Sequence, residues 1–216
     1  MRYLKTLLSA VLAGMCIGFG GVVFLALESK VLGALFFTCG LFCVCTFGLK
    51  LFTGKVCYVF QNGRDYALEL PVIWLGNLLG AMVTAGLMNA SRLAPYAEKA
   101  AGMCRIKAED SFGSLFVLGI LCNIFIYIAV ESFNKNPHEL GKYLGLFFGV
   151  MVFILSGYEH CVADMFYVSA AGCWSGDMLL RVLVITAGNA AGGELLPLCR
   201  GWIAKTDGKP EGRFIP

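Results

Sequence analysis

The sequence predicts an all-α membrane protein of six spans, arranged as two inverted repeats of three, with the second and fifth spans broken. Three observations carry this reading. The chain of 216 residues is 58% hydrophobic and 14% charged, with a mean hydropathy of +0.76, whereas soluble domains carry roughly a quarter charged residues. Six apolar segments stand out, at about 7–27, 31–58, 68–88, 111–130, 140–171 and 178–203. Finally, Gly76-Asn77-Leu78-Leu79-Gly80 in the third segment returns as Gly188-Asn189-Ala190-Ala191-Gly192 in the sixth.

Taken in order, the first segment is long enough to span a bilayer. It exceeds a signal-peptide core and lacks a small-residue cleavage site before a polar region, so it is expected to be retained. The second and fifth segments are too long for one straight helix. Each is interrupted by polar residues, at Leu51-Phe52-Thr53-Gly54-Lys55-Val56 and at Gly157-Tyr158-Glu159-His160. Residues 89–110, with Pro95 and mixed charges, are expected to be the longest loop, joining repeats at about 7–88 and 111–203. The whole chain, 1–216, then forms one transmembrane domain with a short cytoplasmic tail at 204–216. Three spans per repeat force the two copies into opposite orientations, and sites in such folds form where broken helices meet near the midplane. That places Thr53 and His160 facing each other. Gly76, Gly80, Gly188 and Gly192 are assigned to close helix packing.

The net charge is only +3, but its placement is informative. Arg2, Lys5, Lys50, Lys55, Arg64, Lys135, Lys142, Arg200, Lys205, Lys209 and Arg213 fall on one side of an even number of spans. The positive-inside rule makes that side, with both termini, cytoplasmic. Arg92, Lys99, Arg105 and Lys107 fall on the other side. Of ten cysteines, nine lie within or at the ends of apolar runs, where they serve as small hydrophobes, and their spacing matches no zinc or redox pattern. No metal, cofactor or nucleic-acid partner is expected.

A carboxylate and an imidazole at mid-span are costly in hydrocarbon and are usually kept only along a pathway. His160 is therefore the leading candidate to meet a permeant species. Glu159 is expected to bind backbone amides freed by the helix break, with Gly157 supporting the same break.

With the breaks placed, the chain resembles the formate/nitrite transporter family over nearly its whole length. The resemblance is carried by Leu51-Phe52-Thr53, by Gly119-Ile120-Leu121-Cys122-Asn123, by Ser156-Gly157-Tyr158-Glu159-His160 with Ala163, Met165 and Phe166, and by Thr186, Gly188, Asn189, Gly192 and Gly193. It implies an aquaporin-like six-helix protomer, assembled as a homopentamer in a bacterial inner membrane, with one pore per subunit. The implied substrates are small monovalent anions or their conjugate acids: formate, nitrite, hydrosulfide, acetate or lactate. The family's central histidine falls on His160, its loop threonine on Thr53, its fourth-helix asparagine on Asn123 and its buried lysine on Lys107. Its apolar constrictions fall on Phe37, Leu41, Phe52 and Phe153. The chain differs from the family pattern at Asp164, usually Asn, at Glu131, usually aromatic, and at Glu194 and Pro197, where the sixth segment normally continues apolar.

Desolvating a bare carboxylate costs many kcal/mol, so either the protein carries the charge past these apolar rings or the anion takes up a proton. Lys107 is expected to concentrate anions at the entrance. His160 can donate a hydrogen bond or relay a proton, and the Thr53 hydroxyl both donates and accepts. A channel for water or small neutral solutes would suit the same repeat, yet neither half contains Asn-Pro-Ala. An intramembrane enzyme is disfavoured because the sequence has no His-Glu-x-x-His motif.

Overall fold

The computed structural model of the chain describes residues 1–206. The first half contains α1 (Arg2–Ala26), α2 (Lys30–Thr46), α3 (Phe52–Val56), α4 (Arg64–Ala67) and α5 (Glu69–Asn89). After α6 (Tyr96–Glu109), the second half contains α7 (Phe112–Lys135), α8 (Glu139–Leu155), α9 (Cys161–Ala171) and α10 (Gly176–Thr206). Among the described residues, α1, the run of α4 into α5, α7, α8 and α10 are long and apolar enough to cross a membrane, while α2 and α9 are shorter apolar helices beside the breaks.

Both long segments break, and the two breaks are built the same way. The fifth breaks between α8 and α9, at the predicted 157–160. The second breaks between α2 and α3 at 47–51, upstream of the predicted 51–56, most of which is α3 because the chain resumes its helix at Phe52. Gly48 (φ +62°) and Gly157 (φ +74°) adopt left-handed backbone, which a Cβ disfavours. Leu49 N–H then reaches Val44 O at 2.9 Å and Gly48 N–H reaches Cys45 O at 3.3 Å. In the second half Tyr158 N–H reaches Phe153 O at 2.9 Å and Gly157 N–H reaches Ile154 O at 3.1 Å. These are the paired bonds of a Schellman helix end.

A chain that leaves its helix inside an apolar layer strands backbone groups that must be paired within the protein. One asparagine per half does this. Asn77 on α5 accepts from Phe52 N–H at 2.8 Å and donates to Lys50 O at 3.0 Å and Ala10 O at 2.8 Å. Asn189 on α10 accepts from Cys161 N–H at 2.9 Å and donates to Glu159 O at 2.9 Å and Gly119 O at 2.8 Å. The matched bonds align Lys50 with Glu159 and Phe52 with Cys161. His160 is thus the counterpart of Leu51, and Thr53 lies two residues beyond the equivalent position.

Glycines bring the supporting helices to backbone contact. A Cβ on Gly80 would lie 2.0 Å from Val11 O, and one on Gly192 would lie 2.1 Å from Ile120 O. In this way α1 packs on α5 and α7 packs on α10.

One expectation is corrected. The connection 89–110 is not a loop throughout, because α6 occupies most of it and buries Ala100, Cys104 and Lys107 on one face. The sixth segment, expected at 178–203, is α10, which runs through Glu194 and Pro197 to Thr206 with each of them buried. The predicted tail is therefore helical at its start, and residues 207–216 lie outside the described residues.

Candidate functional site

The centre of the molecule is a hydrogen bond between the two broken segments. Thr53 Oγ1 and His160 Nε2 are 2.9 Å apart, and both residues are buried. His160 is also the N-cap of α9, where Nδ1 accepts the Ala163 N–H at 3.1 Å. A backbone amide only donates, so Nδ1 carries no proton and the neutral ring holds its proton on Nε2. Nε2–H therefore donates to Thr53 Oγ1, leaving the hydroxyl proton free for an acceptor in the pathway. An imidazolium would have to break the α9 cap to form in this position.

Apolar side chains bracket this pair. Phe153 stacks on the imidazole with ring centroids 5.6 Å apart, and Phe37 meets Phe153 edge-on at 6.2 Å. A cavity of about 300 Å³ on this side is lined by Phe37, Phe153, His160, Lys107 and Asp164, among others. A second cavity, of about 210 Å³, is lined by Leu41, Leu51, Gly54 and Lys55, among others. Phe37 and Leu41 stand one turn apart on α2 yet line different cavities, so the Thr53–His160 bond lies between two vestibules. Phe52, buried at the start of α3, borders neither.

Lys107 reaches the first vestibule from α6. Its ammonium lies 2.9 Å from Glu159 Oε2 and 3.2 Å from Asp164 Oδ1, with the lysine side chain 6% exposed. Burial alone would push the ammonium pKa down, but the carboxylates of Asp164 and Glu159 more than reverse this and raise it above the ordinary lysine value. Glu159 consequently plays a different part from the one expected. The amides freed at the break are taken by His160 Nδ1 and Asn189 Oδ1, because these groups sit on or beside α9, while the Glu159 carboxylate turns to the nearest buried cation.

Asn123 is also placed differently from the expected pathway position. Its amide donates to Thr53 O at 3.0 Å and Asn189 O at 2.7 Å, tying α3 to α10 behind the hydroxyl. It fits there because Gly193 has no side chain; a Cβ would lie 2.3 Å from Asn123 Nδ2.

Several supporting residues were not singled out from the sequence for these roles. Arg181 donates to Lys107 O and Asp110 O, both at 2.7 Å, fixing the last turn of α6 and with it the lysine. Its signal was an arginine inside the sixth apolar segment, which is costly there without a purpose. Glu194 accepts from Val59 N–H at 2.7 Å and Phe60 N–H at 3.3 Å, holding the chain that leaves α3. Glu131 accepts from Tyr58 at 2.8 Å and from Lys135 and Arg200 at 3.0 Å.

Comparison with known proteins bears on the family and the fold. The family model described as Formate/nitrite transporter matches residues 1–203. The chain belongs to the formate/nitrite transporter family. It is 29% identical over 182 residues to the uncharacterized transporter YrhG of Bacillus subtilis (strain 168), covering 77% of this chain and 68% of that one. It is 31% identical over 189 residues to formate-nitrite transporter 2 of Toxoplasma gondii (strain ATCC 50611 / Me49), covering 78% of this chain but only 40% of that relative's length. The fold matches a pentameric formate channel solved with formate bound, with a TM-score of 0.81, 24% identity and coverage of 95% of this chain and 98% of that chain. Membership in the formate/nitrite transporter family makes the protein an anion channel or transporter of the membrane.

Proposed function

We propose that the chain conducts a small monovalent anion of the formate or nitrite class, and that the anion crosses at the Thr53 hydroxyl, which His160 holds in place. The observation that carries this reading is the donor pair itself, poised between two vestibules and walled by Phe37, Phe153 and Leu41. A carboxylate entering so apolar a constriction loses its water, and an unpaired buried charge is prohibitively costly. Donors already aimed at the position the anion must cross compensate part of that loss without reorganising. Here the Thr53 hydroxyl supplies the donor, while His160 Nε2–H holds its oxygen and fixes which way the proton turns.

Protonation of the anion remains part of the proposal. Falling dielectric disfavours the charged form of an acid, so formate becomes more basic as it leaves the vestibule. The proton comes from vestibule water in preference to His160, whose Nδ1 is committed to capping α9. The formate-bound, pentameric relative supports formate as a substrate and a homopentameric assembly. The many exposed large apolar side chains, such as Leu75, Phe148 and Trp202, provide a surface for lipid and neighbouring subunits. The charge distribution supports an orientation with cytoplasmic termini, and a bacterial inner membrane is part of the same proposal.

Uptake by proteoliposomes tests the proposal. Formate, nitrite, hydrosulfide, acetate and lactate are compared with glycerol at pH 5.5 and 7.5. At least one anion is expected to equilibrate faster than in protein-free vesicles, with faster uptake at the lower pH. Glycerol flux without anion flux would overturn the reading in favour of a neutral-solute channel.

A further inference from the structure

The second vestibule holds a cation that the central site does not use. Lys55 lies on α3, two residues beyond Thr53, and lines the 210 Å³ cavity together with Tyr58 and Asn134. Its neighbours are neutralised. Lys50 is paired with Glu69, Arg2 with Glu69 and Asp65, and Lys135 and Arg200 with Glu131. Tyr58 donates its hydroxyl proton to Glu131. The Lys55 ammonium, by contrast, has no hydrogen bond or ion pair among the described residues, and neither does the Asn134 amide. The nearby charges of Lys50 and Glu69 act on Lys55 in opposite senses. The cavity therefore presents donors and no competing carboxylate.

Lys107 is held differently in the first vestibule. Its ammonium is already divided between Glu159 and Asp164, so much of its field is cancelled before an anion arrives. Lys30, which also lines that vestibule, donates to Leu155 O at 3.1 Å and has no carboxylate partner among the described residues. Each vestibule thus holds a lysine outside any ion pair, and in the second it is Lys55.

We propose that Lys55 forms an anion-capture site in the second vestibule, binding a small monovalent anion or short carboxylate before it reaches Thr53. The proposal rests on the anion-conducting reading above. Lys55 holds the anion as a point charge, with Asn134 as a second donor at the mouth. Lys55 and Thr53 share α3, two residues apart and so on different faces of it, with Lys55 lining the vestibule and Thr53 bonded to His160. An anion entering from the side of the termini passes Lys55, then Leu41 and Leu51, then the hydroxyl.

The test is concentration-dependent formate and nitrite uptake into proteoliposomes by wild type, Lys55→Gln and Lys55→Arg, at low and high ionic strength. Losing one unit charge near a partly desolvated anion is expected to raise the half-saturating concentration about five-fold at low salt. The maximal flux should change less. The difference should shrink at high salt, where a charge in a water-filled vestibule is partly screened, and Lys55→Arg should restore the wild-type value. An unchanged half-saturating concentration in Lys55→Gln, at both salt levels and with wild-type elution in gel filtration, would overturn the proposal. Absence of anion flux in wild type would instead overturn the anion reading, so the two failures are separable.

Discussion

His160 is held at both ring nitrogens, by the Ala163 amide at one and Thr53 at the other. This residue was legible from the sequence because an imidazole within an apolar run demands a reason. Its tautomer was not, since that depends on an amide three residues on, in a helix whose start had to be seen. Lys107 shows the same limit. The family resemblance implied a buried lysine there, but not its partners, and folding turns it onto Glu159 and Asp164. Removing one partner of such a buried group leaves uncompensated charge, so Lys107→Met is expected to destabilise the protein by about 3–5 kcal/mol. Thermal unfolding in detergent measures this, and adding Glu159→Gln and Asp164→Asn should recover most of it. Because the folded pKa is raised, the lysine's contribution is fully present below its unfolded value of about 10.4 and is lost only at higher pH.

At the scale of elements, the two breaks depend on a shared device: a Schellman glycine end, an extended stretch, and one asparagine bridging three backbone groups. Replacing Asn189 with Ala would leave the Cys161 N–H and two carbonyls without their partner. A single buried unsatisfied group costs about 1–3 kcal/mol, and the loss should appear as a lowered unfolding temperature for both Asn189→Ala and Asn77→Ala. Gly192→Ala should also destabilise, because its Cβ would meet Ile120 O at 2.1 Å. Gly86→Ala is the control, since nothing lies within 4 Å of the added atom. The duplicated Gly-Asn-x-x-Gly motif was visible in the sequence, but its glycines alone were assigned a role. The asparagine's task becomes readable only when its partners, 25 to 70 residues away, are brought beside it. Similarly, α6 was hidden by its charges, although Ala100, Cys104 and Lys107 recur at the spacing of one helical face.

Across the whole molecule, the six apolar segments and the family were readable because hydrophobic length and paired motifs need no tertiary information. The division of charge between vestibules was not. It depends on which cations find carboxylates, and Glu69, Glu131, Glu159 and Asp164 reach theirs from other elements or across a turn. The result is a pathway whose centre is a neutral donor pair, with its lysines set to either side. The account stands on the anion crossing at Thr53. Replacing Thr53 with Val keeps the shape but removes the oxygen that accepts from His160 and the hydroxyl offered to the anion. Initial rates of anion uptake, measured by stopped flow on vesicles containing equal amounts of folded wild type and Thr53→Val, are the direct measurement. The account predicts a loss of at least about ten-fold, the equivalent of one hydrogen bond to a charged group. A Thr53→Val variant that conducts at the wild-type rate would contradict it.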